Sequence, residues 1–543
     1  MGLNTTQTTE DDSNGRLSPE PLEDSSRRFS VPVVDISRRA TDLTTSSAST
    51  ELPYSDDGRS YSIDPRSSLS WGLANSQSVT SSPNTTTEVD IPSCWRRQVV
   101  LSLDGGGIHT YAELCILERI FREIAKVERS HDGANSSECS PLFGSPDGYD
   151  DEFLRDDPTI TDKYLPCHYF NYIGGTSMGG VIAVMIGRLR LSINEAIRNF
   201  ENMWISIFKE ESEFHSLLSR RRIRAGNSEG LRKALNGIVP KPHEDTDGII
   251  NAEPFRSDSS LCKTLVLAVQ IDRARGVRRP YLFRSYAFNK VKSTAVNRNK
   301  SNETEDTPLK DVCLATSATP GFFDSVKIDN KKFRDGSIWM TNPSMELYRE
   351  VYSMHPDHAS PIYCLVSIGC GKQKRSGILS SINMPATSLY KWEQQRVDDV
   401  LKSRKKEGED FEYTRFAGPS DLTDIKPSDW KLEGRKRNTF ERIKTATARY
   451  CENPEVMQNI KELAERLVKY RRQRARTAHW ERFALGVRYS CNWCEEVVEL
   501  ADRDDVIDHV RSKHSDRMET SSLFFNEYRK VLEQFKVQPK LWR

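Results

Sequence analysis

Apolar residues fall into two periodicities along this chain, separated by long polar stretches. Val99-Val100-Leu101-Ser102-Leu103 is a short, nearly continuous apolar run, which predicts a buried strand. It leads into Asp104-Gly105-Gly106-Gly107-Ile108, after which Leu114, Leu117, Ile120, Phe121, Ile124 and Val127 recur at helical spacing. The unit therefore reads strand, glycine loop, helix. A second unit begins with the aromatic and β-branched residues Tyr169, Phe170, Tyr172 and Ile173 and ends in the small and apolar residues Val181, Ile182 and Ala183. Between them lies Gly175-Thr176-Ser177-Met178-Gly179. Residues 191–218 carry a mostly helical pattern, and Thr264–Val269 and Ile362–Ile368 read as further buried strands. Strands alternating with helices imply an α/β protein with a largely parallel sheet.

The remaining stretches have a different character. Residues 1–93 are rich in Ser, Thr, Asp and Pro and poor in apolar clusters, so a disordered arm is expected there. Residues 131–162 read as a polar surface insertion. Asn453-Pro454 predicts a helix start, followed by Val456, Ile460, Leu463 and Leu467 on one face. The end of that helix carries Lys469, Arg471, Arg472, Arg474 and Arg476, expected to be exposed and favourable for the helix dipole, with a membrane-surface role as the alternative. Arg220-Arg221-Arg222-Ile223-Arg224 is a second basic run, expected as a solvated face or loop, with lipid headgroup phosphate as the functional alternative.

With 543 residues the chain has room for two to four domains, and a formal net charge of +1 argues for no nucleic-acid partner. Eleven irregularly spaced cysteines and the lack of a secretory leader favour a reducing compartment over a disulfide framework. The longest apolar candidate, residues 173–186, is shorter than the roughly 18–20 residues a spanning helix needs. A cytoplasmic protein with peripheral membrane contact is the expectation.

Gly175-Thr-Ser-Met-Gly179 has the form of a nucleophile elbow, in which a sharp strand-to-helix turn exposes the serine hydroxyl. Gly175 and Gly179 permit the close approach such a turn demands. The helix that follows brings unsatisfied N–H groups and partial positive charge beside Ser177. Gly105, Gly106 and Gly107 lack the flanking pattern of a phosphate loop. Their bare amides suit instead the negative oxygen of a tetrahedral acyl intermediate. For the base, His355 and His358 are candidates for a triad. Asp335, in Phe333-Arg-Asp-Gly-Ser-Ile338, is the rival, taking the serine proton directly.

With these motifs in order, the chain resembles the patatin-like phospholipase family. Asp104-Gly-Gly-Gly-Ile108 is similar to that family's oxyanion-hole motif, Gly175-Thr-Ser-Met-Gly179 to its nucleophile elbow, and Asp335-Gly336 to the Asp-Gly of its Ser–Asp dyad. Ala315–Pro320, Asn342-Pro343 and Val366–Gly369 are similar to other recurrent stretches of the family. The resemblance covers roughly residues 97–375 and implies a three-layer α/β/α fold. It implies a lipid acyl hydrolase in which Ser177 attacks, Asp335 is the base, Gly105, Gly106 and Gly107 donate to the oxyanion, and no cofactor takes part. Two departures stand out: His109 where the family usually has Arg or Lys, and Ser337 after Asp335-Gly336.

Near the carboxyl end, Cys491 and Cys494 are followed by His509 and His514, with fourteen residues between Cys494 and His509 and four between the histidines. This is zinc-ligand spacing, and Val498 and Val506 are expected in the small core of such a module. The acidic stretch Asp502–Asp508 disfavours nucleic acid, so a structural or protein-binding finger with a structural zinc is expected. The predicted organisation is an arm (1–93), a catalytic domain (94–380), a helical extension (381–485), a zinc-finger-like module (486–520) and a tail (521–543). The leading functional expectation is hydrolysis of phospholipid or a related lipid ester at a membrane surface. The alternatives are a Ser-His-Asp α/β-hydrolase and a lipid-binding or signalling scaffold.

Overall fold

A computed structural model of the chain describes residues 93–131, 136–140, 158–208, 220–240, 243–244, 250–272, 278–288, 307–338, 340–356, 358, 360–371, 397–404, 406–425, 438–517 and 524–537. The expected arm, apart from Ser93, lies outside them. The main sheet is built from β1 (Gln98–Leu103), β2 (Tyr172–Thr176), β3 (Lys263–Ile271), β4 (Arg278–Arg284), β5 (Val326–Ile328), β6 (Lys331–Asp335), β7 (Ile362–Ile368) and β8 (Glu412–Phe416). Five strands run parallel in the order β8-β7-β1-β2-β3. The antiparallel strands β6 and β5 extend the sheet beyond β3, and β4 pairs antiparallel with β3.

The near-continuous apolar run of β1 follows from cover on both faces, the usual condition of a parallel sheet. Alternate residues serve different layers. Val99, Leu101 and Leu103 join a core with Leu114, Leu117 and Ile120, whereas Val100 joins a second core with Leu347 and Val351. The first layer is formed by α1 (Tyr111–Arg129), α2 (Ser177–Ala183), α3 (Ile193–Phe208), α4 (Arg220–Ile238) and α5 (Leu309–Thr316). The second is formed by α6 (Ser344–Met354) and residues 397–404, which bury Val397 and Leu401. The protein is thus a three-layer α/β/α structure.

The basic run at 220–224 is helical, forming the start of α4; of its side chains only Arg224 is described, 3.5 Å from Asp324. Two helices of the extension, α7 (Thr439–Cys451) and α8 (Pro454–Ala475), add to the first layer over α1. Asn453 caps α8, its Oδ1 accepting from the amide of Glu455 at 3.0 Å.

The expected exposure of the basic end of α8 holds for Lys469 and Arg476 but is overturned at Arg471 and Arg474. Arg471 and Arg474 are 2% and 0% exposed. Arg471 meets Glu128 of α1 through Nε (3.0 Å) and Nη2 (2.8 Å), and Arg474 donates to the carbonyls of Cys94 and Arg97. Planar guanidinium groups can spread their charge over several acceptors, which makes such burial tolerable. The extension also contributes to the sheet itself, since β8 lies within residues expected to be helical.

Beyond α9 (His479–Leu485), a small module contains β9 (Arg488–Cys491), β10 (Val498–Leu500), α10 (Arg503–Lys513), α11 (Phe524–Phe535) and β11 (Lys536–Val537). β9 pairs antiparallel with both β10 and β11. Its core unites Val487, Tyr489, Val506, Val510, Val531 and Phe535, with Val498 packed against it. The module therefore takes residues from both the predicted finger and the predicted tail.

Candidate active site

One edge of β3 brings together the two side chains at the centre of the site. β4 occupies one edge of β3 from Leu265 to Ile271. On the opposite edge β2 pairs up to Thr176↔Leu267, and β6 takes over at Asp335↔Ala268. A parallel strand and an antiparallel strand thus end against consecutive residues of β3. Ser177 follows Thr176 immediately, and its Oγ donates to Asp335 Oδ2 at 2.9 Å.

Ser177 has φ 55°, the left-handed region that a residue with a Cβ avoids. Its amide donates to Thr316 Oγ1 at 2.9 Å, and Thr316 in turn donates to the Leu267 carbonyl at 2.6 Å. The glycines on either side leave no space for a side chain. A Cβ on Gly175 would lie 2.3 Å from the Gly179 carbonyl oxygen, and one on Gly179 would lie 2.2 Å from the Asp104 carbonyl oxygen. The second contact presses α2 against the start of the glycine loop, so the pentapeptide's last glycine couples the two motifs.

Asp335 is fully buried. Burial raises the pKa of its carboxyl, opposed by hydrogen bonds from Thr319, Ser337 and Ser177. Thr319 Oγ1 donates to Oδ2, and the amide and hydroxyl of Ser337 each donate to Oδ1 at 2.8 Å. The departure at Ser337 thus adds a hydroxyl donor to the carboxylate.

The glycine loop departs from expectation at one position. The amide of Gly105 donates to the Thr341 carbonyl at 2.9 Å and is not available as an oxyanion donor. Gly105 instead permits close approach, since a Cβ there would lie 3.0 Å from the Ser177 Cβ and 2.9 Å from that of Ser337. Gly107 takes φ 60° and opens a helical turn. Among the described residues, the amides of Gly106 and Gly107 have no acceptor in the loop, turn and cap bonds of the backbone.

Asp104, at the head of the loop, is held by Arg415 of β8. Nη1 lies 3.0 Å from Oδ1 and Nη2 lies 2.6 Å from Oδ2. Burial alone would lower the pKa of this guanidinium, and the carboxylate of Asp104 more than reverses that. Glu113, also fully buried, is pushed well above its ordinary pKa by desolvation and then by the Asp104 charge, so its carboxyl stays neutral.

His109, His355 and His358 each meet other groups. The buried ring of His109 has Nε2 2.9 Å from the Ile425 carbonyl. His355 Nε2 lies 3.2 Å from the hydroxyl of Tyr172, at the amino end of β2, whereas Ser177 follows the carboxyl end. Burial lowers the His355 pKa to about 4. His358 sits beside His355, with ring centroids 6.2 Å apart. At the carboxyl-terminal module, Cys491, Cys494, His509 and His514 bring their ligand atoms within 4.8 Å of one another.

Sequence reading missed Thr316, Thr319 and Arg415. The first two lie in or beside the recurrent stretch Ala315–Pro320, where the signal was present without a role. Nothing local marks Arg415, 311 residues from its partner.

Residues 101–348 match the family model described as patatin-like phospholipase. Phospholipase A I of Arabidopsis thaliana is 23% identical over 54% of this chain and 25% of its own length. Calcium-independent phospholipase A2-gamma of Oryctolagus cuniculus is 24% identical over 40% of this chain and 26% of its own. Patatin-like protein 1 of Arabidopsis thaliana is 21% identical over 55% of this chain and 65% of its own. The chain therefore matches about a quarter of the length of the two phospholipases. The glycine loop, the serine elbow and Asp335 all fall within residues 101–348, the part of this chain that is similar to the patatin-like phospholipase family.

Proposed function

We propose that this protein is a lipid acyl hydrolase working through a Ser177–Asp335 dyad. The observation that carries the reading is the 2.9 Å hydrogen bond from Ser177 Oγ to Asp335 Oδ2 at a strained strand-to-helix turn. Relatives named phospholipases support phospholipid or a related lipid ester as the substrate class. Among the described residues no helix is long and apolar enough to cross a membrane, and contact with lipid is proposed to be peripheral.

In the proposed reaction Ser177 Oγ attacks the ester carbonyl carbon while its proton passes to Asp335 Oδ2. The carbonyl π bond opens to an oxyanion. Amides of Gly106 and Gly107 donate to that oxyanion together with the amide of Met178, which lies in the first turn of α2 and lacks an intrahelical acceptor. Collapse breaks the bond to the alcohol, which leaves with the proton from Asp335. Water then gives a proton to Asp335 and attacks acyl-Ser177. Ser177 recovers that proton as the fatty acid departs. Asp335 needs no histidine intermediary, because the carboxylate contacts the reacting hydroxyl directly.

Fatty-acid release from phosphatidylcholine vesicles, together with labelling by a fluorophosphonate ester, tests this reading. Wild type is expected to hydrolyse and to be labelled on Ser177. Ser177→Ala is expected to lose both, and Asp335→Asn to lose hydrolysis while remaining folded. Unchanged hydrolysis in either variant overturns the dyad. Loss of hydrolysis on replacing His355 or His358, with Ser177 intact, would favour a triad instead.

A further inference from the structure

We infer that Cys491, Cys494, His509 and His514 bind one zinc ion, and that this ion is a structural clasp for the module packed at the end of the sheet remote from Ser177. The four side chains come from a hairpin and a helix. Cys491 ends β9, Cys494 lies in the turn toward β10, His509 lies within α10 and His514 caps it.

Four of the six separations among their ligand atoms are 3.3–3.9 Å, and all lie within 4.8 Å. The two sulfurs are 3.9 Å apart, and Cys491 Sγ lies 3.4 Å from His514 Nε2. Cys494 Sγ lies 3.4 Å from His509 Nε2 and 3.3 Å from His514 Nε2. A zinc ion with Zn–S of about 2.3 Å and Zn–N of about 2.0–2.1 Å has tetrahedral edges of roughly 3.3–3.8 Å. Two thiols and two imidazoles crowded to these separations without a cation would confront one another with lone pairs and weak donors. Thiolates around a divalent ion convert that crowding into bonding. Soft sulfur with imidazole in tetrahedral array selects zinc over the hard oxygen-seeking cations.

Four protein ligands close the coordination shell and leave no position for a substrate, which marks a structural site. The module needs such a contribution. Its core is a small cluster around Val506, Val510 and Tyr489, and small cores depend on metals or cross-links for stability. The surroundings hold one ligand in place, since the Trp493 ring meets His514 edge-on at 5.6 Å between centroids and Phe535 packs on Trp493 at 5.0 Å.

The module is fixed to the rest of the chain by polar contacts. Arg503 pairs with Glu481 of α9 at 2.5 Å, Tyr489 donates to Glu481 Oε2 at 2.6 Å, and Arg488 pairs with Asp258 at 2.5 Å. Asp258 precedes β3, and His168, whose Nε2 lies 3.1 Å from the Ala484 carbonyl of α9, precedes β2. These anchors meet the amino ends of two strands, whereas Ser177 follows the carboxyl end of β2. The acidic residues Asp502, Asp504, Asp505 and Asp508 lie at the start and along the middle of α10, which suits fixation within this chain rather than contact with a polyanion.

Metal analysis and X-ray absorption on full-length protein purified with zinc in the medium test the assignment. The expected result is one zinc per chain with two sulfur and two nitrogen ligands. Protein lacking zinc, or zinc in an oxygen-rich shell, overturns it. Cys494→Ser is expected to lose zinc and to become sensitive to proteolysis within 486–537. Should that variant fail to fold, stripping zinc from wild type with a chelator serves in its place. The melting temperature is then expected to fall and to recover on adding zinc alone. A melting temperature unmoved by verified zinc removal overturns the structural role.

Discussion

Arg415 grips Asp104 with both terminal nitrogens, at 3.0 and 2.6 Å, tying β8 to the first residue of the glycine loop. The family match ends at residue 348, so the residue that neutralises Asp104 comes from outside it. Arg415→Ala leaves a carboxylate buried without its partner and is expected to cost about 3–5 kcal/mol of stability. Arg415→Lys keeps the charge but loses the two-pronged geometry and is expected to fall between. Denaturant unfolding of both variants, of Asp104→Asn and of the Asp104→Asn/Arg415→Ala double variant checks this. A double variant as unstable as the sum of both single ones would show that the pair is not coupled.

The pH dependence of the proposed hydrolysis is expected to report Asp335, its proposed base. Its carboxyl sits above the ordinary aspartate value of 3.8 because burial outweighs the hydrogen bonds that favour its charge. Protonation removes the base, so activity is lost as pH falls through this raised pKa, earlier than for an exposed aspartate. Thr319→Val deletes one donor that favours the charged form, and the acid limb of kcat/KM is expected to move to higher pH. An unmoved limb with an unchanged plateau would mean that Asp335 does not set it.

Strain at Ser177 is separable from its proposed chemistry. Ser177→Gly and Ser177→Ala are both expected to be inactive, but only glycine is at ease at φ 55°. The glycine variant is expected to exceed the alanine variant in stability by about 1 kcal/mol. Thermal melts compare the two directly, and equal stability would show that the turn stores no strain.

Glu113 carries a stability cost that grows with pH. Unfolded, it ionises near 4.5; folded, burial keeps it neutral well above that. Its contribution is therefore most favourable below the unfolded pKa and is lost as pH rises toward the folded one. Glu113→Gln removes this slope. The variant is expected to gain on wild type with rising pH, by at most about 1.4 kcal/mol per pH unit within that window. Parallel pH–stability curves would refute it.

Much of the fold was legible because its signals are local. Val99–Leu103 must be a strand covered on both sides, and Leu114 to Val127 must be one helix face, whatever surrounds them. The motif around Ser177 announces its own turn, since the two glycines stand where the backbone leaves no room for a Cβ. The basic end of α8 misled for the same reason. A row of arginines looks solvated until Glu128 and the carbonyls of Cys94 and Arg97, more than 300 residues away, are known to face it.

The sequence by itself determined which residues were eligible: one serine in an elbow, one aspartate in a turn, three bare glycines, and two cysteines and two histidines at metal spacing. Only the tertiary structure decided how they are used. Side-chain types and spacings encode local geometry within a few residues. Partners brought together by strand pairing depend on register across the whole sheet. It took β3 to place Thr176 and Asp335 on consecutive residues of one edge, Thr341 to occupy the amide of Gly105, and β8 to carry Arg415 to Asp104.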